Sequence, residues 1–216
     1  MFAEPFDSKD GYRIWLDREE VDLLIANTGT REERLAFELG VRSGLRVSEI
    51  VDVKANHVVD TSAGPRVRVY DSKGKEYRES PTTTFVHAQS DAVADLQDSD
   101  AFLVDHSKRW VQRHLDSVCE DLAEQTGDDM WLEVSPHDLR RSWATLLSAD
   151  VDDPLLIMDW GGWEDMDTFL EHYRGSYSPH VQREFLQQVD WLPAESKATD
   201  TEPELRMLQD ESVSGL

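Results

Sequence analysis

Four short segments of this 216-residue chain carry the side chains best suited to chemistry on an anion. Arg and Lys can hold a negative charge, His can move a proton, and a Tyr oxygen can act as a nucleophile. His137 and Arg140, three residues apart, would face the same side of one helix. In chain order the segments are Gly44-Leu45-Arg46-Val47-Ser48-Glu49, Lys73-Gly74-Lys75, His137-Asp138-Leu139-Arg140, and Gly161-Gly162-Trp163 followed by Tyr173.

Each of these segments, taken alone, is also typical of ordinary structure. Arg46 would then be a surface residue at a helix start, held by Glu49 three residues later, and the lysines would belong to a solvated turn. The third segment would be a polar helix face, and Trp163 and Tyr173 a buried aromatic pair. A functional prediction therefore depends on all four segments and on the elements that position them.

The positioning elements are predicted to be helices on both sides of a small sheet. Asp17 and Glu20 have the capping-box spacing of a helix start. Alternating apolar residues around Val67 and Val69, followed by a hairpin tip at residues 72–75, predict antiparallel strands. This order of elements predicts an α+β fold. Further helices are predicted over residues 31–42 and 47–54, from residue 90 onward, and over residues 107–125, 135–149, 152–161, 166–173 and 179–189.

The ordered set of motif residues resembles the tyrosine recombinase (phage integrase) family over about residues 17–190. Residues 44–49 and 137–142 are close to the commonest motif sequences of the family, and the spacing of positions 140, 163 and 173 is usual for it. The resemblance implies the catalytic domain of that family, which is mainly helical with a small antiparallel β-sheet.

The resemblance also implies a role for each motif residue at a DNA phosphate. Tyr173 would attack the phosphorus and become a 3′-phosphotyrosine. Arg46 and Arg140 would clamp the non-bridging oxygens, because guanidinium groups bind such oxygens bidentately. His137 would donate to the same phosphate or handle the tyrosine proton. Trp163, at a position where the family has His or Trp, would donate its indole N–H to the phosphate.

The proton for the leaving 5′-oxygen would come from a lysine on the hairpin tip. Lys73 is the first candidate. Lys75 is the alternative, because the family's turn usually has a spacer between its two lysines that this chain shortens. The phosphotyrosine link would conserve the energy of the phosphodiester bond, so the resemblance implies no metal and no cofactor.

The sequence thus predicts a site-specific DNA recombinase, or integrase, that acts in DNA integration and recombination. Its expected partners are double-stranded DNA and further copies of the chain in a tetrameric synapse, with no small-molecule substrate. A mobile genetic element is the expected context. One alternative is a non-catalytic DNA-binding regulator that retains the fold, and another is a type IB topoisomerase with the same chemistry. The complete set of candidate catalytic residues favours the recombinase.

Three regions are predicted along the chain: an N-terminal arm at residues 1–16, the catalytic domain at residues 17–193, and a mobile acidic tail at residues 194–216. Family members usually carry a helical DNA-clamping domain before the catalytic domain, and we expect it to be missing here or supplied by a partner. The tail has six acidic and two basic residues and few apolar ones. The single cysteine and the absence of an 18-residue apolar run predict a cytoplasmic protein without a membrane span.

The net charge of −23 conflicts at first with a DNA partner, because DNA-binding proteins normally have a high pI. The 45 Asp and Glu residues outnumber 22 basic ones, of which 16 are Arg. Such an excess of acids either keeps a folded chain soluble at ordinary salt or adapts it to molar salt, where charge repulsion is screened within about 3 Å. The acids are spread along the whole chain, which favours the second interpretation. The composition therefore predicts a halophilic protein.

Removing salt is expected to destabilise this protein, because the unscreened carboxylates would repel one another. We expect the melting temperature to fall when KCl is lowered from molar concentration to roughly 0.1 M. Thermal unfolding followed by circular dichroism measures this. An unchanged melting temperature would contradict the halophilic prediction.

Overall fold

The computed structural model describes residues 1–6, 10–70, 77–173 and Leu186, without the side chains of Tyr77 and residues 171–173. Apart from Leu186, all of them belong to a compact unit that spans residues 1–180. The strands are β1 Phe2–Pro5, β2 Tyr12–Trp15, β3 Val58–Thr61, β4 Gly64–Tyr70 and β5 Tyr77–Pro81. The helices are α1 Arg18–Ala26, α2 Arg31–Val41, α3 Val47–Ile50, α4 Thr84–Leu96, α5 Lys108–Thr126, α6 Pro136–Asp150, α7 Pro154–Gly161 and α8 Met166–Tyr173, with 3₁₀ turns at Ala55–His57 and Asp129–Glu133.

The predicted α+β class is confirmed. Strands β3, β4 and β5 form an antiparallel sheet in that order, and β1 and β2 form a separate antiparallel pair. The predicted hairpin tip at residues 72–75 lies outside the described residues, as do the predicted helix over residues 179–189, except for Leu186, and the predicted tail. Among the helices that the structure describes, none is long and apolar enough to cross a membrane.

Local capping explains where the predicted helices begin and end. Asp17 and Glu20 form the expected capping box at α1. At α5 the Ser107 side chain accepts the backbone N–H of Trp110, and Gly127 ends the helix with a φ of 71°. A left-handed residue at a helix end favours Gly, which has no Cβ to clash. These helix ends are therefore set by capping residues that can be recognised in the sequence.

Three elements differ from the prediction. Helix α4 begins at Thr84 rather than at residue 90, because the hydroxyl of Thr83 accepts the backbone N–H of Val86 and caps an earlier start. Helix α3 ends at Ile50, and the predicted continuation to residue 54 is wrong. The predicted N-terminal arm contains β1 and β2, which the sequence analysis did not identify.

Strand β2 is fastened to helix α6 by a buried carboxylate. Asp138 is 1% exposed, and its Oδ1 accepts the backbone N–H of Ile14 at 3.0 Å. The side chain of Arg141 donates to the same oxygen. Two residues further along the chain, the Leu16 N–H donates to the Ser142 hydroxyl at 2.8 Å. The N-terminal strands therefore hold the helix that carries His137 and Arg140.

The apolar core has two parts that meet near the motif segments. The larger part packs α1, α2, α4 and α5 against the three-stranded sheet and one face of α6. The smaller part surrounds Trp143 in α6 and includes Ile157, Met158 and Phe169, with Trp163 packed against it. The second cluster fixes α7 and α8 relative to α6, since each contributes side chains to it.

Gly44 is required by this packing. It has a φ of 66°, and a Cβ at this position would overlap the ring of Trp143. Gly127 has a similar φ of 71°, but no heavy atom lies within 4 Å of its hypothetical Cβ. The two glycines therefore share the backbone conformation and differ in the space around it.

We expect Gly44→Ala to destabilise the protein more than Gly127→Ala. Both changes incur a left-handed backbone penalty of about 1–2 kcal/mol. Only Gly44→Ala also overpacks against Trp143, which costs about a further 1–3 kcal/mol. Urea unfolding of the two variants measures the difference. Equal losses of unfolding free energy would show that Trp143 does not require a glycine at position 44.

Candidate active site

Arg46 lies at the start of α3, where Glu49 holds it as the spacing predicted. The Arg46 backbone N–H donates to Oε2 of Glu49 at 2.7 Å, and its guanidinium donates to Oε1 at 2.8 Å. The Arg46 side chain is 44% exposed, whereas that of Glu49 is 14% exposed. Glu49 thus orients a guanidinium that solvent, or a ligand, can still reach.

A second guanidinium, which the sequence analysis did not single out as a site residue, binds the same carboxylate. Arg78 in β5 donates to both oxygens of Glu49, at 2.8 and 2.7 Å. Its Nε also donates to the carbonyl oxygen of Trp160 at 3.1 Å. Strand register could have revealed this residue, because Arg78 is paired with buried Val69 and so lies on the inner face of the sheet.

Glu49 remains ionised in this environment. Burial by itself would raise the pKa of its carboxyl group, but the hydrogen bonds and charge of Arg78, with the N–H and charge of Arg46, lower that pKa to about 2. The carboxylate therefore keeps its negative charge at any pH at which the protein would work. It carries one negative charge against two guanidiniums, so the cluster is net positive.

Arg140 in α6 joins two segments that are far apart in the sequence. Its guanidinium donates to the carbonyl oxygen of Gly44, 96 positions earlier, and to that of Gly161 at 2.6 Å. The side chain is buried, with 3% of the residue exposed, and its Cζ lies 4.0 Å from the ring centre of Trp163. Arg140 therefore contacts the segment of Arg46 and that of Trp163 at once. Joint binding of one phosphate by Arg46 and Arg140 stays a prediction.

The ring of Trp163 packs in an aromatic cluster. It stacks on Trp143 with ring centres 6.1 Å apart and meets Phe169 edge to face at 5.6 Å. A Cβ on Gly161 would overlap its ring. Trp163 thus packs against Trp143 and Phe169, while its predicted pairing with Tyr173 falls on a side chain that is not described. Phe169 belongs to α8, so Trp163 also connects Arg140 with the helix that contains Tyr173.

The remaining motif residues are placed less completely. His137 is exposed and lies one turn before Arg140 in α6. Tyr173 is the last residue of α8, but its side chain is not described. Lys73 and Lys75 lie outside the described residues, as do Gly175 and Tyr177. Within the part of the chain that the structure describes, no group of three or more His, Cys, Asp or Glu residues could hold a metal ion.

The sequence pattern of the phage integrase family matches residues 14–180. The chain therefore belongs to this family. It is 29% identical over 157 residues to the tyrosine recombinase XerA of Thermococcus onnurineus (strain NA1), covering 71% of this chain and 55% of that relative. The chain thus spans little more than half the length of this relative.

Solved structures share the fold at lower sequence identity. The crystal structure of XerA recombinase superposes with a TM-score of 0.64 at 20% identity, over 82% of this chain and 65% of that one. A lambda integrase (75–356) dimer bound to a COC′ core site gives 0.57 at 18% identity, over 78% and 62%. XerH bound to a palindromic difH substrate gives 0.58 at 14% identity, over 82% and 52%. The fold is thus that of tyrosine recombinase catalytic domains.

Replacing Glu49 with Gln is expected to remove a pH-dependent part of the stability. Because folding lowers the pKa of Glu49 from 4.5 to about 2, its contribution is fully present above pH 4.5 and is lost as the pH falls towards 2. The difference in unfolding free energy between wild type and Glu49→Gln should be on the order of 3 kcal/mol larger at pH 7 than at pH 2. Urea unfolding between these pH values at constant salt measures the difference.

The matched control for this prediction is Asp150→Asn. Asp150 also pairs with an arginine, Arg18, but both side chains are at least half exposed. Exposed pairs contribute little to stability. A stability difference between wild type and Glu49→Gln that does not change with pH would contradict the buried ion pair.

Proposed function

We propose that this protein is a site-specific DNA recombinase that cuts and rejoins DNA through a 3′-phosphotyrosine intermediate. Membership of the phage integrase family and the likeness to a tyrosine recombinase support the proposal. The observation that carries it is the position of Arg140, which contacts both the loop of Arg46 and the loop of Trp163. Three motifs with no proximity in sequence therefore share one region of the fold.

In the proposed cleavage step the Tyr173 oxygen attacks the phosphorus and the bond from phosphorus to the 5′-oxygen breaks. His137, which is exposed, accepts the tyrosine proton or donates to the phosphate. Lys73, or Lys75 in its place, gives a proton to the 5′-oxygen. A free 5′-hydroxyl and a phosphotyrosine result, and attack by a 5′-hydroxyl on the phosphotyrosine reverses the step and rejoins DNA.

The two arginines have unequal access to the phosphate. Arg46 is already half exposed, while Arg140 is buried against two carbonyl oxygens. Contact between Arg140 and a phosphate therefore requires its exposed fraction to increase. We propose that DNA binding moves the end of α7 at Gly161 enough to open one face of this guanidinium.

The charge distribution along α5 supports double-stranded DNA as the partner. Its first two turns carry Lys108, Arg109 and Arg113, all exposed, whereas its later turns carry four exposed acids. This order opposes the helix dipole, which favours acids at the N-terminus and bases at the C-terminus. The unfavourable order is explained if the basic turns bind phosphates. The four acids are Asp116, Glu120, Asp121 and Glu124.

Five finer features belong to the same proposal. The carboxylate-rich composition supports adaptation to high salt, where release of counterions adds little to DNA affinity. Binding would then depend more on hydrogen bonds and on contacts between protein copies, which is consistent with the tetrameric synapse expected on DNA. We also propose that the protein acts on a mobile element in the cytoplasm and that residues 17–193 form its catalytic domain.

Tyr173→Phe is expected to abolish covalent attachment to DNA, because the change removes the attacking oxygen and little else. The substrate is a pool of nicked duplexes with a randomised central sequence in molar KCl, and denaturing gels detect the adduct. Recovered adducts also identify the preferred site. Wild type should form the adduct in EDTA as well as in its absence.

Tyr177→Phe is the matched control and should retain the adduct. An adduct formed by Tyr173→Phe but not by Tyr177→Phe would assign the nucleophile to Tyr177. DNA cleavage that leaves no adduct and is lost in EDTA would indicate a metal-dependent nuclease. Site-selective DNA binding by a wild type that never forms an adduct would favour the non-catalytic regulator.

A further inference from the structure

Arg78 contacts two separate segments of the chain. It binds both oxygens of Glu49, and its third donor, Nε, reaches the carbonyl oxygen of Trp160 at 3.1 Å. Its Cδ lies beside Gly162, where a Cβ would come within 2.8 Å. One side chain therefore contacts the segment of Arg46 and the end of α7 together.

The contact with Trp160 has its own physical basis. Carbonyl groups in the last turn of a helix have no partner within the helix, and the C-terminal end carries partial negative charge. Trp160 lies in this last turn of α7, and its ring also packs 5.1 Å from the guanidinium carbon of Arg66 in β4. The sheet thus holds the helix end by two arginines.

Arg78 is poorly placed to bind DNA itself. Its side chain is only 12% exposed, and all three of its nitrogens donate to protein oxygens. Apart from the long-range effect of its charge, its influence on a phosphate therefore passes through the residues that it contacts.

We propose that Arg78 is a positioning residue for strand cleavage. It fixes Glu49, and through Glu49 the guanidinium of Arg46, relative to the loop that carries Trp163. This inference rests on the proposed function, because it concerns the rate of the cleavage step.

The experiment compares cleavage with binding and stability in the same variants. Arg78→Gln removes the charge, and Arg78→Lys keeps the charge but cannot bind both Glu49 oxygens and Trp160 together. Arg18→Gln is the matched control. It breaks the ion pair of Arg18 with Asp150, which is exposed and joins α1 to α6. The substrate is the nicked duplex recovered from the adducts described above.

We expect both Arg78 variants to form the adduct about 10- to 100-fold more slowly at saturating DNA, since small displacements of reacting groups have effects of this size. Their affinity for the intact duplex should change no more than that of Arg18→Gln. The double variant Glu49→Gln/Arg78→Gln should be no slower than the slower single variant, because the two residues act as one unit. Arg18→Gln should cleave at the wild-type rate.

The outcomes separate the two proposals. Absence of the wild-type adduct would overturn the proposed function and this inference with it. A wild-type adduct with unchanged cleavage by folded Arg78→Lys would overturn the positioning role alone. The positioning role would also be overturned if the cleavage rate of the double variant fell by the product of the two single-variant factors. If Arg78→Gln does not fold, Arg78→Lys and its melting temperature still decide the question.

Discussion

The guanidinium of Arg140 is the interaction on which the arrangement of the site depends. A buried charge is costly unless it is well hydrogen-bonded, and Arg140 meets this condition with the carbonyls of Gly44 and Gly161. Both segments must present their carbonyls to one point in α6, and both need glycine because Trp143 and Trp163 fill the space beside them. The burial of one cation thus dictates where two distant segments lie.

The electrostatics of the cluster are compatible with an acidic protein. Glu49 keeps a charge of −1 because its pKa is about 2, while Arg46, Arg78 and Arg140 together carry +3. The carboxylate orients Arg46 and Arg78 and cancels only part of the positive charge. A positive site is therefore maintained locally although the whole chain carries −23. The global charge bears on solubility and salt, whereas the local charge bears on the ligand.

Sequence patterns predicted the elements with strong local signals and missed those that depend on distant partners. The caps at Asp17, Ser107 and Gly127 set helix ends through neighbouring backbone groups, so they could be read directly. Strands β1 and β2 have four residues each and are anchored by Asp138, more than a hundred residues away. Likewise the motif order singled out Arg46 and Arg140, but the contacts of Arg78 with Glu49 and Trp160 depend on the register of β5, which a one-residue shift would reverse.

The end of α7 links anion binding to the helix that contains the proposed nucleophile. Arg78 and Arg140 bind the successive carbonyls of Trp160 and Gly161, one from the sheet and the other from α6. Because these carbonyls precede Trp163, and Trp163 packs on Phe169 of α8, a series of direct contacts joins both guanidiniums to α8. A phosphate that competes with the Gly161 carbonyl for Arg140 would act on this same chain of contacts. In the proposed recombinase, this series of contacts would couple occupancy of the phosphate site to the placement of the Tyr173 helix.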